Sequence, residues 1–276
     1  MGVKCGACFR GCVLEEGRLG FCRARRNVGG TIVCDNYGEV TALALDPIEK
    51  KPLMRFMPGT KILSTGSYGC NLACMFCQNY GISATTKEEN MLTEISPAEM
   101  VAKAISLKEQ NNIGIAYTYN EPLIGYEYVR DTAKIARAEG LKNVLVTNGC
   151  FTEKTFNEVI GFVDAMNIDL KGFTKEYYEK LGGDLETVKA FIKMAHKSGC
   201  HIELTTLLVP GYNDTDSEIE AMAAWIAGID VEIAYHISRF FGRWKMASAS
   251  PTKVSSVLNA VEIAKRHLKY VYAGNI

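Results

Sequence analysis

The 276-residue sequence has no excess of charge of either sign, no long apolar run and no apolar leader. Lys plus Arg and Asp plus Glu both number 31, so electrostatics give no reason to expect a nucleic acid or an anionic membrane as a partner. No stretch approaches the roughly 18 consecutive apolar residues of a membrane span, and the N-terminus MGVKCGACFRGC lacks the apolar core of a signal peptide. We therefore expect a cytoplasmic protein without nucleic-acid or membrane partners.

The sequence also lacks a GxGxxG motif after its first long apolar run, which counts against a doubly wound dinucleotide-binding sheet. From Lys61 onward, short apolar runs alternate with amphipathic helical stretches. The predicted strands are KILSTGS, IGIAYTY, NVLVTNG, DAMNIDL, IELTTLLV and VEIAYHI, followed by a final YVY. Apolar runs of this length are typical of parallel strands buried on both faces. The alternation predicts an α/β fold, a partial (β/α)6 TIM-like barrel over residues 61–276.

The ten cysteines are distributed unevenly, and half of them precede residue 35. A cytoplasmic chain of this size does not need a disulfide framework, so clustered thiols indicate metal or redox chemistry. We predict that residues 1–60 form a small Cys-rich N-terminal metal-binding region. Its ligands would be Cys5, Cys8, Cys12 and Cys22, with Cys34 able to replace one of them. Four thiols complete a zinc tetrahedron, an auxiliary [4Fe–4S] cluster is the alternative, and unliganded thiols are a third interpretation.

A second cysteine group, in GCNLACMFCQN, places Cys70, Cys74 and Cys77 directly after the first barrel strand. No fourth Cys or His is close in sequence, and the next cysteine is Cys150. Structural zinc normally has four protein ligands, whereas an iron–sulfur cluster held by three thiolates keeps one iron free. The position matters as well, because barrel active sites form at the C-terminal ends of the strands. These residues therefore predict a cluster with one open iron.

The spacing C-x3-C-x-aromatic-C after a first strand resembles the motif of the radical S-adenosylmethionine (SAM) superfamily. The segments TYNEP (118–122), VTNG (146–149), IDLKGF (168–173), LLVPGYND (207–214), HISRF (236–240) and YVYAGN (270–275) are similar to the branch related to pyruvate formate-lyase activating enzymes. The N-terminal region, with PIEKKPL (47–53), most resembles the AmmeMemoRadiSam-system radical SAM proteins. The resemblance extends over nearly the whole chain.

The resemblance implies a [4Fe–4S] cluster on Cys70, Cys74 and Cys77 that binds SAM and cleaves it reductively to a 5′-deoxyadenosyl radical. It also implies hydrogen abstraction from a peptide or protein substrate, and a reductant such as flavodoxin or ferredoxin. Family positions that contact SAM carry over to Phe76, Asn79, Glu121, Asn148, Asp169, Lys171 and His236. Tyr119 and Asn120 replace two glycines of the family pattern, and Val146 replaces an acidic residue that helps to bind a cation.

Each of these polar residues also has a structural interpretation. Asn148 followed by Gly149 is ordinary turn chemistry, Asp169 and Lys171 could form a salt bridge at a strand end, and His236 could be a satisfied core histidine. Two other functions remain open. One is a radical SAM enzyme that methylates, cross-links or rearranges a small molecule or peptide, and the other is a zinc-binding interaction module.

Overall fold

The computed structural model describes residues 2–276, and the N-terminal region consists of short antiparallel strands. Val3–Lys4 (β1) pairs with Val13–Leu14 (β2), and Arg25–Val28 (β3) pairs with Thr31–Cys34 (β4). Glu39–Val40 (β5) follows β4. Hairpins this short have little core of their own and depend on what they pack against.

The centre of the molecule is one eight-stranded sheet. Its strands, in chain order, are Ala42–Pro47 (β6), Lys61–Gly66 (β7), Asn112–Tyr117 (β9), Lys142–Thr147 (β10), Ala165–Asp169 (β11), His201–Leu208 (β12), Ala234–Arg239 (β13) and Val271–Gly274 (β14). Thr93–Glu94 (β8) lies outside this sheet and pairs with β5. The spatial order is β14-β13-β12-β11-β10-β9-β7-β6, with β6 antiparallel and all other pairs parallel. Since β14 and β6 are both edges, the sheet is a partial barrel, as predicted.

Helices alternate with the strands from β7 onward, as the sequence predicted. They are Tyr80–Ser83 (α1), Pro97–Ser106 (α2), Tyr126–Ala138 (α3), Glu153–Val159 (α4), Lys175–Lys180 (α5), Leu185–Lys197 (α6), Asp216–Ala227 (α7) and Val254–Ala264 (α8). Helix α2 begins with a capping box, in which the Ser96 side chain accepts from the Glu99 N–H and Pro97 occupies the first turn. Such caps satisfy the free N–H groups of the first turn.

The two faces of the sheet have different partners. On the outer face, Met166, Leu204 and Tyr235 belong to a large apolar cluster with the helices. On the inner face, the lower part of the barrel is filled by Ile62, Ala116, Val144 and Ala165, which pack against Ile48 and Leu53. The segment after β6 therefore closes the N-terminal end of the barrel. Access to the interior is left at the C-terminal ends of the strands.

Strand β6 precedes residue 60 and nevertheless pairs with β7 along its whole length. The main sheet therefore starts at Ala42, and a domain boundary at residue 60 stays a prediction. Over residues 2–276, no helix combines the length and the apolar character that crossing a lipid bilayer requires.

Candidate functional site

The register of the sheet aligns a row of side chains across the inner face. Asp169 pairs with Thr205, Thr205 pairs with His236, and His236 pairs with Tyr272. Thr147 of β10 pairs with Ile168 of β11. The next residue along each strand direction is Asn148 and Asp169, respectively, so these two residues are level with each other. Paired residues point to the same face of a sheet. Asn148, Asp169, Thr205 and His236, which we call the polar row, therefore line the interior near the barrel mouth.

The loop after β7, residues 67–79, brings Cys70, Cys74 and Cys77 to this mouth, and we call it the cysteine loop. The three thiols lie within electrostatic range of one another. The loop is anchored by backbone bonds, including Ala73 N–H to the Leu181 carbonyl at 2.8 Å. Among residues 2–276, no group of three or more His, Cys, Asp or Glu side chains is arranged to hold a single metal ion. In a [4Fe–4S] cluster each thiolate binds a different iron, so its ligands stand further apart than those of one ion.

Cys70 is the most closely surrounded of the three thiols. The Leu72 N–H donates to its Sγ at 3.3 Å, and Asn148 Nδ2 lies 3.8 Å from the same sulfur. Burial, and then the negative charges of Glu121 and Cys74, raise the pKa of Cys70 well above its ordinary value. A raised pKa favours the neutral thiol, and binding of a cationic centre favours the thiolate, which the N–H groups are placed to support.

Asn71 was missed by sequence reasoning, although it lies between two of the cysteines. Its side chain is fully buried, accepts from Asn148 Nδ2 at 2.8 Å and donates to the Cys150 carbonyl at 3.0 Å. Asn148 Oδ1 accepts in turn from the Cys150 N–H at 2.9 Å. The two asparagines thus join the cysteine loop to the end of β10. Only the adjacency to Cys70 could have indicated this role.

Cys77 and Asn79 lie at the end of the loop, directly before α1. The Cys77 Sγ is 3.2 Å from the Ser83 Oγ, and Asn79 Nδ2 donates to the Tyr119 carbonyl at 2.7 Å. Asn79 therefore ties the loop to the segment after β9, and a SAM contact by Asn79 stays a prediction.

Tyr119 occupies the position of a family glycine, and its backbone shows how it is accommodated. Its φ is +70°, in the left-handed region that favours glycine. The side chain is held by a hydrogen bond from its hydroxyl to Asp46 at 2.7 Å. The next residue, Asn120, donates to the carbonyls of Tyr68 and Gly69 at 3.0 and 3.1 Å. Tyr119 thus adopts a backbone conformation that favours glycine, and Asn120 adds a contact to the cysteine loop.

Glu121 is buried at the end of β9 and accepts three hydrogen bonds. They come from the Leu123 N–H at 3.1 Å, the Thr147 hydroxyl at 2.8 Å and the Asn148 N–H at 2.8 Å. Burial raises the pKa of Glu121 to about 7 in spite of these bonds. The structure shows Glu121 holding Asn148, and its predicted contact with SAM stays a prediction.

Lys171 and Asp169 form an ion pair at the mouth, with Lys171 Nζ 2.8 Å from Asp169 Oδ2. Burial lowers the pKa of Lys171, but the charges of Asp169 and Cys74 outweigh this effect and raise it well above the ordinary value. The loop holding Lys171 is fixed by Asn213 Nδ2, which donates to the Lys171 carbonyl at 2.7 Å. A fixed ammonium group therefore lies beside the cysteine loop.

His236 is part of the polar row, and its hydrogen-bond partner, Glu203, lies deeper in the barrel. Its Nε2 is 2.7 Å from Glu203 Oε2, and its ring stacks on Tyr272 with centroids 5.2 Å apart. Glu203 also accepts from the Met54 and Arg55 N–H groups in the segment that closes the barrel bottom. This arrangement is that of a satisfied core histidine, and a SAM contact by His236 stays a prediction.

Phe76 lies in a small apolar cluster beside the cysteine loop. Its ring meets Phe240 edge-on with centroids 6.3 Å apart, and Tyr177 and Leu181 belong to the same cluster. The segment after β13 also covers the loop from outside, where the Lys245 N–H donates to the Met75 carbonyl at 3.1 Å. The predicted adenine contact of Phe76 stays a prediction.

Two buried hydroxyl groups at the mouth suit a polar ligand. In the part of the chain that the structure describes, Thr205 Oγ1 and Tyr177 OH have no hydrogen-bond partner. Buried hydroxyls are nearly always paired, so a bound molecule that supplied partners here would be stabilised. Together with three thiols and a fixed ammonium, this donor set fits a thiolate-bound cluster and a zwitterionic ligand.

The four N-terminal cysteines lie in the strands and turns that precede β3. Burial raises the pKa of Cys8 and of Cys22, and both thiols lie within electrostatic range of Cys5. Cys12 is a further close neighbour of Cys8. Cys34 donates to Asn36 Oδ1 at 3.2 Å and also lies within electrostatic range of Cys22. The four predicted ligands are therefore neighbours, and replacement of one of them by Cys34 stays a prediction.

Comparison with known proteins decides the family. The sequence model of the family described as the radical SAM superfamily matches residues 65–226, which is more than half of the 276 residues. The chain belongs to the radical SAM superfamily. Membership implies a [4Fe–4S] cluster and SAM, and Cys70, Cys74 and Cys77 are the residues of this chain whose chemistry fits them.

The relatives of this radical SAM protein include one long match and several more distant ones. An uncharacterized protein of Methanocaldococcus jannaschii is 40% identical over 99% of this chain and 81% of its own length. The pyruvate formate-lyase 1-activating enzyme of Escherichia coli is 23% identical over 58% of this chain and 65% of its own length. This chain thus matches somewhat less than two thirds of that enzyme.

Among solved structures, a domain of a pyruvate-formate lyase-activating enzyme from Bacteroides vulgatus is similar in fold. Its TM-score is 0.51 at 17% identity, covering 59% of this chain and 99% of that one. At this identity the likeness concerns the fold alone. It agrees with the partial barrel of this radical SAM protein.

Proposed function

We propose that this protein is a radical SAM enzyme that abstracts hydrogen from a peptide or protein substrate, as glycyl-radical activating enzymes do. The observation that carries the proposal is the position of Cys70, Cys74 and Cys77 at the barrel mouth, beside Asn148 and the ammonium of Lys171. The match to an activating enzyme over 58% of the chain supports the substrate class.

In this proposal the three thiolates hold the [4Fe–4S] cluster, which when bound and reduced supplies the electron for cleavage of SAM to a 5′-deoxyadenosyl radical. Asn148 Nδ2 and the Leu72 N–H, at 3.8 and 3.3 Å from Cys70 Sγ, direct positive dipoles at one thiolate. Hydrogen bonds to cluster sulfurs raise the reduction potential. The buried Glu121 acts through Asn148, because it fixes the backbone of that residue.

Lys171 is placed to bind the carboxylate of SAM. Its ammonium is held by Asp169 at 2.8 Å and lies close enough to Cys74 to affect the charge of that thiol. A Lys ammonium meets a carboxylate as a point charge and tolerates some variation in geometry. The unpartnered Thr205 hydroxyl in the adjacent strand can take a hydrogen bond from the same ligand. Phe76, Asn79, Glu121 and His236 are proposed as further SAM contacts.

A second candidate is a radical SAM enzyme that modifies a small molecule. The interior of the barrel favours it, because the polar row continues downward to Asn167, whose Oδ1 is buried without a partner among the described residues. An interior lined by such groups suits a small polar ligand. Consumption of one equivalent of SAM per activated partner favours the first candidate, and use of SAM as a reusable cofactor favours the second.

We also propose a low-potential one-electron donor, of the flavodoxin or ferredoxin type, as the reductant. The N-terminal cysteines are proposed to hold a second metal centre, either zinc or an auxiliary [4Fe–4S] cluster.

The proposal is tested by reconstituting the protein anaerobically, reducing it with dithionite in the presence of SAM, and measuring 5′-deoxyadenosine. The wild type and a Cys200→Ser variant should both form it, because Cys200 lies at the start of β12, away from the loop. Cys74→Ser should form none. Absence of 5′-deoxyadenosine from cluster-loaded wild type, with and without added peptide substrates, would contradict the proposal.

A further inference from the structure

The N-terminal hairpin brings three thiols to one place. Strands β1 and β2 pair Lys4 with Val13, and the Cys5 N–H continues the ladder by donating to the Cys12 carbonyl at 2.8 Å. Cys5 and Cys12 therefore lie opposite each other, and Cys8 lies in the loop that joins the strands. Its thiol is close to both of them.

Cys22 completes the group from a second hairpin. The Gly20 N–H bonds to the Arg25 carbonyl at 2.7 Å, which folds the segment back toward β2. Cys5 and Cys22 are both only 7% exposed, and the Cys22 thiol lies near those of Cys8 and Cys5. Four thiols, two of them buried, thus share one pocket, and the cation nearest to them, Arg25, is paired with Glu127.

This pocket touches the cysteine loop on both sides of Cys70. A Cβ on Gly69 would lie 2.3 Å from the Cys22 carbonyl oxygen, so these two backbones are in contact. On the other side of Cys70, the Asn71 side chain lies close to the Cys8 thiol and 4.0 Å from the Cys70 sulfur. The two groups of cysteines are therefore direct neighbours.

The contact is also held rigidly. Arg10 Nε donates to the Asn71 carbonyl at 2.7 Å, and another nitrogen of its guanidinium donates to the Gly182 carbonyl at 2.5 Å. The Ala7 carbonyl accepts from the Thr155 hydroxyl at 2.7 Å, and Cys8 forms an antiparallel bridge with Phe151. The N-terminal pocket is thus fastened to the loops after β7 and β10, which carry the candidate site.

The N-terminal thiols share the features of the cysteine loop. Both sets bring several thiols together, and among residues 2–276 neither set is arranged to hold a single metal ion. Thiolates bound to one [4Fe–4S] cluster each take a separate iron. A single zinc ion requires four sulfurs at about 2.3 Å from one centre.

We propose that Cys5, Cys8, Cys12 and Cys22 hold a second [4Fe–4S] cluster, adjacent to the cluster on Cys70, Cys74 and Cys77. This inference rests on the proposed second metal centre and not on the proposed substrate. With four thiolate ligands, every iron of this cluster is occupied by protein, so it binds no SAM. Because it lies beside Cys70, its reduced form would interact magnetically with the reduced first cluster.

The test uses the full chain, prepared anaerobically, as wild type and three variants. One variant replaces the loop cysteines, Cys70, Cys74 and Cys77, by alanine; one replaces Cys5 and Cys12 by serine; and the control is Cys200→Ser. Iron, sulfide and zinc are measured per chain, and dithionite-reduced samples are compared by electron paramagnetic resonance with and without SAM. Circular dichroism checks that each variant is folded.

The loop variant should retain about half the iron and sulfide of the wild type, with a spectrum that SAM does not change. The Cys5/Cys12 variant should retain the other half, with a SAM-dependent spectrum. The wild-type and Cys200→Ser spectra should be broadened by interaction between neighbouring reduced clusters. Zinc in place of iron, loss of all metal from a folded loop variant, or a wild-type spectrum equal to the sum of the two variant spectra would overturn the inference.

These outcomes are independent of the proposed function. If the wild type forms no 5′-deoxyadenosine while the loop variant keeps its iron and sulfide, the proposed function fails and the second cluster stands. If the Cys5/Cys12 variant does not fold, the loop variant alone decides the question, because it leaves all four N-terminal cysteines in place.

Discussion

Replacing Gly69 by alanine tests the contact between the N-terminal region and the cysteine loop. Gly69 has a φ of +85°, and an added Cβ would lie 2.3 Å from the Cys22 carbonyl oxygen. The left-handed backbone costs alanine about 1–2 kcal/mol. Relief of the clash moves the N-terminal region and weakens the Arg10 bonds to Asn71 and Gly182, at about 1.5–3 kcal/mol each. Full loss of both bonds would bring the total to about 4–8 kcal/mol, and because the bonds are weakened and not lost we expect the free energy of unfolding to fall by roughly 4 kcal/mol.

Gly140→Ala is the matched control, since Gly140 also has a positive φ, +72°, and a Cβ there would meet nothing within 4 Å. It should lose only about 1–2 kcal/mol. At about 2–4 °C per kcal/mol, the Tm of Gly69→Ala should fall by roughly 10 °C and that of Gly140→Ala by a few degrees. The measurement is anaerobic thermal unfolding at one scan rate, with iron content measured beforehand. Equal losses of stability in the two variants would refute the contact.

Three further predictions concern charged groups. Burial raises the pKa of Glu121 from 4.5 to about 7, so its stabilising contribution is complete below pH 4.5 and about 3 kcal/mol of it is lost as the pH rises to about 7. Wild type should therefore lose stability relative to Glu121→Gln across that window, and parallel pH profiles would contradict this. For Glu203, burial raises the pKa, but bonds from His201 and His236 outweigh burial and lower it to about 2. Its contribution is present above pH 4.5 and is lost as the pH falls toward 2, so the stability of Glu203→Gln should depend less on pH there. Lys171→Met should weaken SAM binding about tenfold in equilibrium dialysis with unchanged iron content, and unchanged affinity would count against the role of Lys171.

Much of the fold could be predicted because its signals are local. Each buried parallel strand is a short apolar run, and the turns that follow the helices carry glycine, as at Gly140 and Gly199 with positive φ. Helix ends are less predictable: α4 ends at Val159 and continues as a 3-10 turn, because the last turn of a helix often tightens. The cysteine loop was predictable for the same reason, since three residues within one short loop must share one place.

The sequence by itself determined which chemistry is present: the spacing of Cys70, Cys74 and Cys77, the order of strands and helices, and the polar residues that end each strand. Local spacing requires only covalent geometry and is therefore readable from the chain. Only the tertiary structure decided that Cys22 lies against Gly69 and that His236 bonds to Glu203, because those contacts join segments more than 30 residues apart. Contacts of this kind depend on how whole elements pack, and no spacing within a motif encodes them.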